Sequence, residues 1–220
     1  MILSGGKGKR LKPLTDLVPK SLIPLNNVPI IEWQIRYFKK FRINEFVICC
    51  GYKSEQIKNY LDGKKNLGVK IHYSIEKTPL GTGGAIKKAK KFVKGNSFFV
   101  ANGDVITNLD IRLLKPNSIA AIPLKTSFGR MKLQDNKAKN FSEKSQIPNE
   151  WMNAGLYHLS RNVFSHLPKK GDIEKTAFPK LAKKGLLNSI KYVDVFWHSI
   201  DSYKSIEDCA SEMKASHFVK

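Results

Sequence analysis

A short loop rich in glycine and positive charge is the first part of the chain whose residue types suggest chemistry. Gly5-Gly6-Lys7-Gly8-Lys9-Arg10 directly follows an apolar run at residues 1–4. Glycine lets the backbone come close to a ligand, so that N–H groups can point at phosphate oxygens, and the basic side chains add positive charge there. The loop matches neither the P-loop signature nor the spaced dinucleotide fingerprint. Two interpretations therefore stay open, a phosphate-binding loop and an ordinary turn.

The elements around this loop alternate short apolar runs with amphipathic segments. The pattern predicts strands at residues 1–4, 45–50, 69–75 and 97–101, and helices at residues 29–41, 54–61 and 83–93, with Ser54 as an N-cap. This rhythm is typical of an α/β fold with a parallel sheet covered on both faces. Right-handed crossovers place the loops that follow parallel strands on one edge, where ligands bind. We therefore expect the glycine loop and Asn102-Gly103-Asp104 to share that edge.

The second half of the chain has a different pattern. Short strands are predicted at residues 119–124, 130–133, 138–141 and 151–159, followed by helices at residues 173–184 and 202–214. No internal repeat, low-complexity tract or linker interrupts the chain. We therefore expect one continuous domain over residues 1–220.

Composition excludes several classes of protein. With 41% hydrophobic and 10% aromatic residues in 220, the chain can bury a core and is not disordered. No apolar run approaches the ~18 residues that span a bilayer, and no signal peptide is evident, so no membrane partner is expected. Cys49 and Cys50 are adjacent in an apolar run, and the only other cysteine is Cys209. This usage favours a reducing cytoplasm over a disulfide framework, and no zinc-site spacing occurs.

The formal net charge of +21 attracts anions in general. Nucleic acid, an anionic membrane and phosphorylated small molecules are all compatible with it. Lysines such as Lys87, Lys88, Lys90 and Lys91 are spread over predicted helical surfaces, which favours a solvated basic face over a dedicated nucleic-acid patch. No aromatic stacking platform or recognition helix is evident, so nucleic acid is not the expected partner.

Longer motifs give the glycine loop a specific context. They are, in chain order, Arg10-Leu11-Lys12-Pro13-Leu14-Thr15, Pro19-Lys20-Ser21-Leu22-Ile23-Pro24-Leu25, Pro29-Ile30-Ile31, Pro79-Leu80-Gly81-Thr82-Gly83-Gly84-Ala85, Asn102-Gly103-Asp104, Phe128-Gly129, Phe141-Ser142-Glu143-Lys144, Asn153-Ala154-Gly155 and residues 197–202. Together they resemble the sugar nucleotidyltransferases, also called nucleoside-diphosphate-sugar pyrophosphorylases. The resemblance covers nearly the whole chain.

This resemblance implies a fold and a reaction. The fold is a Rossmann-like mixed, mainly parallel sheet flanked by helices, of the nucleotide-diphospho-sugar transferase (GT-A-like) type. Its nucleotide-binding half is expected at about residues 1–110 and its sugar-phosphate-binding half at about residues 111–220. The reaction joins a nucleoside triphosphate to a sugar 1-phosphate and expels pyrophosphate. Such a transfer depends on in-line positioning and charge neutralisation more than on a protein base.

The resemblance also implies roles for individual residues. Arg10 and Lys20 would be catalytic, on the triphosphate and between the two substrates. Asp104 and Asp201 would hold Mg²⁺, which prefers oxygen ligands, although Asp201 could instead cap the last helix. The expected nucleotide-binding residues are Leu3, Gly5, Gly6, Gly8, Lys9, Glu76, Pro79, Gly81, Thr82, Asn102 and Gly103. The expected sugar-phosphate-binding residues are Gly129, Glu143, Lys144 and Asn153.

Substrate identity stays open between several nucleotides. Residues 79–88 look like those of the mannose- and heptose-1-phosphate guanylyltransferases, which favours GTP. The segment at residues 46–53 and the spacing from Trp197 to Asp201 look closer to the glucose-1-phosphate cytidylyltransferases, and CTP or UTP is the alternative. Lys9 stands where most relatives carry Thr or Ser. A non-catalytic regulatory relative is a further alternative, and small relatives often associate, so a homo-oligomer is also open.

Overall fold

The structure, a computed structural model, describes residues 1–126 and 128–215; the last five residues of the predicted domain lie outside them. The strands are β1 (Ile2–Ser4), β2 (Pro24–Leu25), β3 (Val28–Pro29), β4 (Glu45–Cys50), β5 (Lys70–Ile75), β6 (Ser97–Asn102), β7 (Val105–Thr107), β8 (Ser118–Lys125), β9 (Arg130–Gln134), β10 (Lys137–Ser142), β11 (Gln146–Ser160), β12 (Asn188–Lys191) and β13 (Trp197–Ser199). The α-helices are α1 (Leu14–Leu17), α2 (Ile30–Lys40), α3 (Ser54–Asp62), α4 (Gly81–Lys88), α5 (Ile173–Lys183) and α6 (Tyr203–Ala215).

A seven-stranded sheet forms the centre of the molecule, in the order β12-β8-β11-β6-β1-β4-β5. β1 pairs in parallel with β4 and β6, β4 pairs in parallel with β5, and β12 with β8. β11 runs antiparallel to both of its neighbours, β6 and β8. The mixed, mainly parallel sheet predicted from the sequence is confirmed, and strands from both halves of the chain build it.

Helices cover both faces of this sheet. Alternate residues of β1 point to opposite faces, as a strand requires. Ile2 belongs to the core cluster that includes residues of α2 and α3, whereas Leu3 packs against the cluster that contains residues of α4 and α5. α2 buries Ile31, Ile35 and Phe38, a spacing that places them on one side of the helix. A separate apolar cluster joins α6 to β2 and to the start of α2.

Several local predictions need correction. The helix predicted at residues 83–93 is α4 followed by the 3₁₀ turn Ala89–Phe92. The predicted N-cap at Ser54 is wrong: α3 begins at Ser54, and the capping position is Lys53, with φ of 51° and no side-chain capping bond. The strands β2, β3, β7, β12 and β13 were not predicted, because strands of two to four residues are too short to display a clear periodic pattern.

Candidate active site

The carboxyl ends of β1 and β6 open into a cleft of about 500 Å³. These strands are parallel neighbours, so the glycine loop and the segment after Asn102 leave the sheet side by side. The Gly103 N–H donates to the Leu3 carbonyl at 2.9 Å. A Cβ on Gly103 would lie 2.3 Å from that carbonyl oxygen, so this close approach requires glycine. The expected shared edge is confirmed.

The glycine loop turns sharply at Gly8. This residue has φ of 61°, which favours glycine. The Leu11 N–H and the Thr15 hydroxyl both donate to the Gly8 carbonyl, at 2.9 and 3.0 Å, and these bonds fix the turn. A Cβ built on Gly6 meets no atom within 4 Å, so this part of the loop faces open space. The backbone here is accessible to a ligand in the cleft.

Two pairs of opposite charges lie in the cleft. The Lys20 ammonium donates to Asp104 Oδ2 at 2.6 Å, and both side chains are largely sheltered, with 17% and 27% exposed. Arg10 Nη1 donates to Asp201 Oδ2 at 2.7 Å, but the Arg10 side chain is 75% exposed. The sequence predicted these four residues as the catalytic and metal-binding groups, and the structure brings them to one cleft.

A small antiparallel pair of strands positions the two aspartates. β7 follows Asp104 and pairs with β13, which precedes Asp201. The Ile200 N–H donates to the Asp104 carbonyl at 2.8 Å and extends this pairing. The alternative interpretation of Asp201 as the cap of the last helix is wrong. Ser202 caps α6, since its hydroxyl accepts from the Ser205 N–H at 3.1 Å, while the Asp201 carboxylate faces Arg10.

The donor set of the two aspartates fits a hard divalent cation. Carboxylate oxygens are the ligands that Mg²⁺ prefers, and it usually combines one or two of them with water and phosphate oxygens. Among the described residues, no group of three or more His, Cys, Asp or Glu side chains could hold a metal ion. A cation held by Asp104 and Asp201 would thus need oxygen ligands from substrate or water, as Mg²⁺ commonly has.

A half-buried carboxylate borders the glycine loop. Glu76 Oε2 accepts from the Leu80 N–H at 2.9 Å, and a Cβ on Gly5 would lie 3.1 Å from Glu76 Oε1. Burial raises the pKa of Glu76 above its usual value, while the bond from Leu80 acts in the opposite direction. This bond orients the carboxylate. Glu76 follows β5, which lies on the opposite side of β1 from β6 and the Asp104 that follows it.

A hydrogen-bond network connects the cleft to β11. Thr82 Oγ1 donates to Glu174 Oε2 at 2.5 Å, and the Tyr157 hydroxyl donates to Glu174 Oε1 at 3.1 Å. Asn153 Nδ2 in turn donates to the Tyr157 hydroxyl at 2.9 Å. Tyr157 is fully buried, so its hydroxyl depends on these partners. Glu174 and Tyr157 were not predicted from the sequence, because neither lies in a motif with a known spacing.

The structure places most of the predicted site residues in this cleft. Those that line it are Leu3, Gly5, Gly6, Gly8, Lys9, Arg10, Lys20, Glu76, Pro79, Gly81, Thr82, Asn102, Gly103, Asp104 and Asp201. The lining residues that the sequence analysis missed are Ser4, Leu11, Ser21, Cys49, Ala85 and Asp172. The first three are neighbours of predicted residues in sequence, but Asp172 comes from a distant segment.

The predicted sugar-phosphate residues lie outside the lining of the cleft. Gly129 and Glu143 are close together, since a Cβ on Gly129 would lie 2.8 Å from Glu143 Oε2. Lys144 follows with φ of 46°, and both Glu143 and Lys144 are exposed beside the β9–β10 hairpin. Asn153 is exposed on β11 and is connected to the cleft through Tyr157, Glu174 and Thr82.

Comparison with known proteins identifies relatives of this chain by sequence and by fold. The chain matches the family model of the nucleotidyl transferases over residues 1–215. D-glycero-alpha-D-manno-heptose 1-phosphate guanylyltransferase from Campylobacter jejuni subsp. jejuni is 40% identical over 172 residues, which cover 75% of this chain and 77% of that protein. The probable glucose-1-phosphate cytidylyltransferase from Bacillus subtilis is 30% identical over 236 residues, 94% of this chain and 92% of that protein. The crystal structure of HddC from Yersinia pseudotuberculosis has the same fold, with a TM-score of 0.78 at 24% identity over 96% of this chain and 97% of that one.

Proposed function

This chain belongs to the nucleotidyl transferase family, and we propose that it catalyses the Mg²⁺-dependent transfer of a nucleotidyl group from GTP to mannose 1-phosphate or heptose 1-phosphate. Its enzyme class is that of the sugar-1-phosphate nucleotidyltransferases. The products of the proposed reaction are a nucleoside-diphosphate sugar and pyrophosphate. An oxygen of the sugar phosphate attacks the α-phosphorus, and the bond from that phosphorus to the leaving pyrophosphate breaks.

The observation that carries the proposal is the pairing of two cations with two carboxylates in one cleft. Without substrate, Lys20 and Arg10 neutralise Asp104 and Asp201. With substrate, the two cations turn to phosphate oxygens, whose charge they stabilise during the transfer. Asp104 and Asp201 would then hold Mg²⁺, which neutralises charge on the phosphate oxygens when bound. Backbone N–H groups of the glycine loop hold the triphosphate.

Glu76 supports the choice of GTP. An ionised carboxylate only accepts hydrogen bonds. Guanine is the common base whose Watson–Crick edge carries two adjacent donors, the N1–H and the N2 amino group, so it matches such an acceptor. The relative from Campylobacter jejuni, named as a guanylyltransferase, supports the same choice and a heptose 1-phosphate as the acceptor. CTP is the second candidate, because the relative from Bacillus subtilis is named as a cytidylyltransferase and covers 94% of this chain.

The described cysteines are all buried and unpaired, which supports a reducing cytoplasm as the place where the enzyme works. Among residues 1–126 and 128–215, no helix is long and apolar enough to cross a membrane. A homo-oligomer stays a prediction.

Release of pyrophosphate tests the proposal directly. The purified protein is incubated with Mg²⁺, with each of the common nucleoside triphosphates and with a panel of hexose and heptose 1-phosphates. We expect the fastest release with GTP and mannose 1-phosphate or heptose 1-phosphate. Fastest release with CTP would favour the second candidate. Binding of a nucleotide without release in any combination would favour a non-catalytic regulatory relative instead.

A further inference from the structure

Two segments that are distant in sequence form one continuous surface on the outside of the sheet. The first contains α4 and runs over residues 81–94; the second contains α5 and runs over residues 161–187. They pack against each other: Lys87 donates to the Leu167 carbonyl at 2.5 Å, and the Lys90 ammonium lies 5.9 Å from the centre of the Phe164 ring. We call this surface the α4–α5 face.

The α4–α5 face is far more basic than the rest of the chain. Its 41 residues include twelve lysines and arginines but only two acids, so its net charge is +10, whereas the other 179 residues carry +11. α5 buries Ile173, Ala177, Phe178 and Leu181, which leaves its lysines on the outside. Among the described residues, only Lys175 of the exposed lysines on this face pairs with a carboxylate. These exposed lysines are Lys88, Lys90, Lys91, Lys94, Lys169, Lys170, Lys175, Lys180, Lys183 and Lys184.

The size of the face argues against substrate attraction as its main role. α5 begins beside the cleft, because Asp172 lines it. Its eleven residues extend about 16 Å, so Lys183 and Lys184 lie far beyond the Debye length of about 8 Å at physiological salt. Charges at that distance are screened from a nucleotide in the cleft. An extended anionic partner is needed to contact the whole face.

The types of residue on this face favour a bilayer over a nucleic acid as its partner. Eleven of its twelve cations are lysines, which act as point charges, whereas arginine provides the bidentate contacts typical of nucleic-acid recognition. Among the described residues of the face, no Phe, Tyr or Trp is exposed to stack on a base. Leu186 at the end of α5 is 50% exposed among these lysines and could enter the apolar edge of a lipid layer.

We propose that the α4–α5 face is a docking surface for a bilayer that contains anionic phospholipids. The two helices lie on the same side of the sheet and present their lysines outward as a broad basic surface. The sequence predicted no membrane partner because no apolar run could span a bilayer, but docking through this face needs no such run. The protein lies on the membrane without crossing it. Because both helices begin at the cleft, the cleft lies at the border of the docked face. Substrates therefore reach it while the protein is bound.

Partition of the full chain onto vesicles tests this proposal. Vesicles of phosphatidylcholine with about 30% phosphatidylglycerol are compared with vesicles of phosphatidylcholine alone, at physiological salt. The test variant carries Lys180→Gln, Lys183→Gln and Lys184→Gln. The control variant carries Lys58→Gln, Lys65→Gln and Lys115→Gln, which are exposed beside the core cluster on the opposite side of the sheet.

The two variants have equal charge, so only the position of the lost lysines differs. One lysine near an anionic surface contributes about fivefold in partition, so the test variant should bind about a hundredfold less tightly than wild type. The control variant should lose less than about fivefold, and neither should change the rate of nucleotidyl transfer in solution. Equal losses of vesicle binding in the two variants would overturn the proposal. Equally tight binding of the wild type to vesicles with and without phosphatidylglycerol would also overturn it. Displacement of the protein from vesicles by an RNA duplex at equal phosphate concentration would assign the face to nucleic acid instead.

Discussion

Four of the charged residues that line the cleft form two ion pairs, Lys20 with Asp104 and Arg10 with Asp201. Arg10 is largely exposed, and exposed ion pairs contribute only about 0–1 kcal/mol to stability, so its bond to Asp201 is easily exchanged. Lys20 and Asp104 are more sheltered, and their bond is better protected from solvent. For Arg10, a move from the carboxylate to a phosphate therefore costs little folding free energy. For Lys20, the phosphate must replace a more sheltered partner.

Replacement of Lys20 tests this exchange at a single residue. Lys20→Ala should lower turnover about tenfold or more, because an ammonium that stabilises the transferred phosphate is lost. The fold should stay intact, as checked by circular dichroism. Lys12→Ala serves as the control, since Lys12 pairs with Asp16 outside the lining of the cleft. Turnover in the Lys20 variant equal to that of the control would remove Lys20 from the mechanism.

Glu76 provides a test of base choice. In Glu76→Gln the side chain offers one donor and one acceptor, which matches the N3–H and carbonyl of uracil better than the two donors of guanine. The ratio of kcat/KM for GTP over UTP should fall about tenfold or more. Burial disfavours the ionised carboxylate, so this variant should not lower Tm at neutral pH. Glu55→Gln, on the exposed surface of α3, should change neither property.

The pH dependence of the wild type follows from the same group. Recognition of guanine needs the ionised carboxylate, and burial raises the pKa of Glu76 above its usual 4.5. The preference for GTP should therefore be complete above the raised pKa and decline as the pH falls through it. The decline should begin at a higher pH than for an ordinary glutamate. A ratio that does not change with pH in this range would contradict the assignment.

At the scale of elements, Gly6 and Gly103 lie at the same edge of the sheet but differ in the space around them. A Cβ fits at Gly6 and would collide at Gly103. Gly6→Ala should leave Tm unchanged, because a Cβ there meets no atom, but it should lower kcat/KM about tenfold or more if phosphates approach this backbone. Gly103→Ala should instead lower the free energy of unfolding by more than about 2 kcal/mol, since its Cβ would collide with the Leu3 carbonyl. Thermal melts and kinetics separate the two. Full activity in Gly6→Ala would indicate that the phosphates bind elsewhere.

The network between α4, α5 and β11 connects the cleft to Asn153, one of the predicted sugar-phosphate residues. Tyr157→Phe removes the hydroxyl that joins Asn153 to Glu174, which should cost about 1–3 kcal/mol of stability. It should also raise KM for the sugar phosphate about fivefold, with a smaller effect on KM for the nucleotide. Tyr192→Phe is a matched control: it removes a hydroxyl bonded to the Asp110 carbonyl at 2.8 Å, and only stability should fall. If Tyr157→Phe and Tyr192→Phe had equal KM values for the sugar phosphate, the network would have a structural role alone.

At the scale of the whole molecule, ligands should stabilise the fold by mass action. A nucleotide that binds only the native state at a hundred times its Kd adds about 2.7 kcal/mol of stability. With Mg²⁺ present, GTP should raise Tm more than the other common triphosphates do. Chelation of Mg²⁺ should remove much of this shift, because Asp104 and Asp201 would then repel the phosphates. A Tm shift that is independent of Mg²⁺ would contradict the proposed metal site.

The sequence alone was sufficient for much of the fold and for the centre of the cleft. The helix and strand periodicities predicted the main elements of the first half, and parallel strands necessarily bring the glycine loop and Asp104 to one edge. Arg10 and Lys20 followed from the family resemblance that the motifs close to that loop carry. These features depend on local order along the chain or on a general rule for the handedness of crossovers.

Tertiary structure decided the rest, because side-chain periodicity shows which face of an element is buried but not which element covers it. The place of Asp201 depends on the pairing of β7 with β13, each only three residues long. Glu174 and Tyr157 meet through the packing of α5 on the sheet. The lysines of α4 and α5 share one surface only in the folded chain. In each case distant segments become neighbours, and no local pattern in the sequence records that contact.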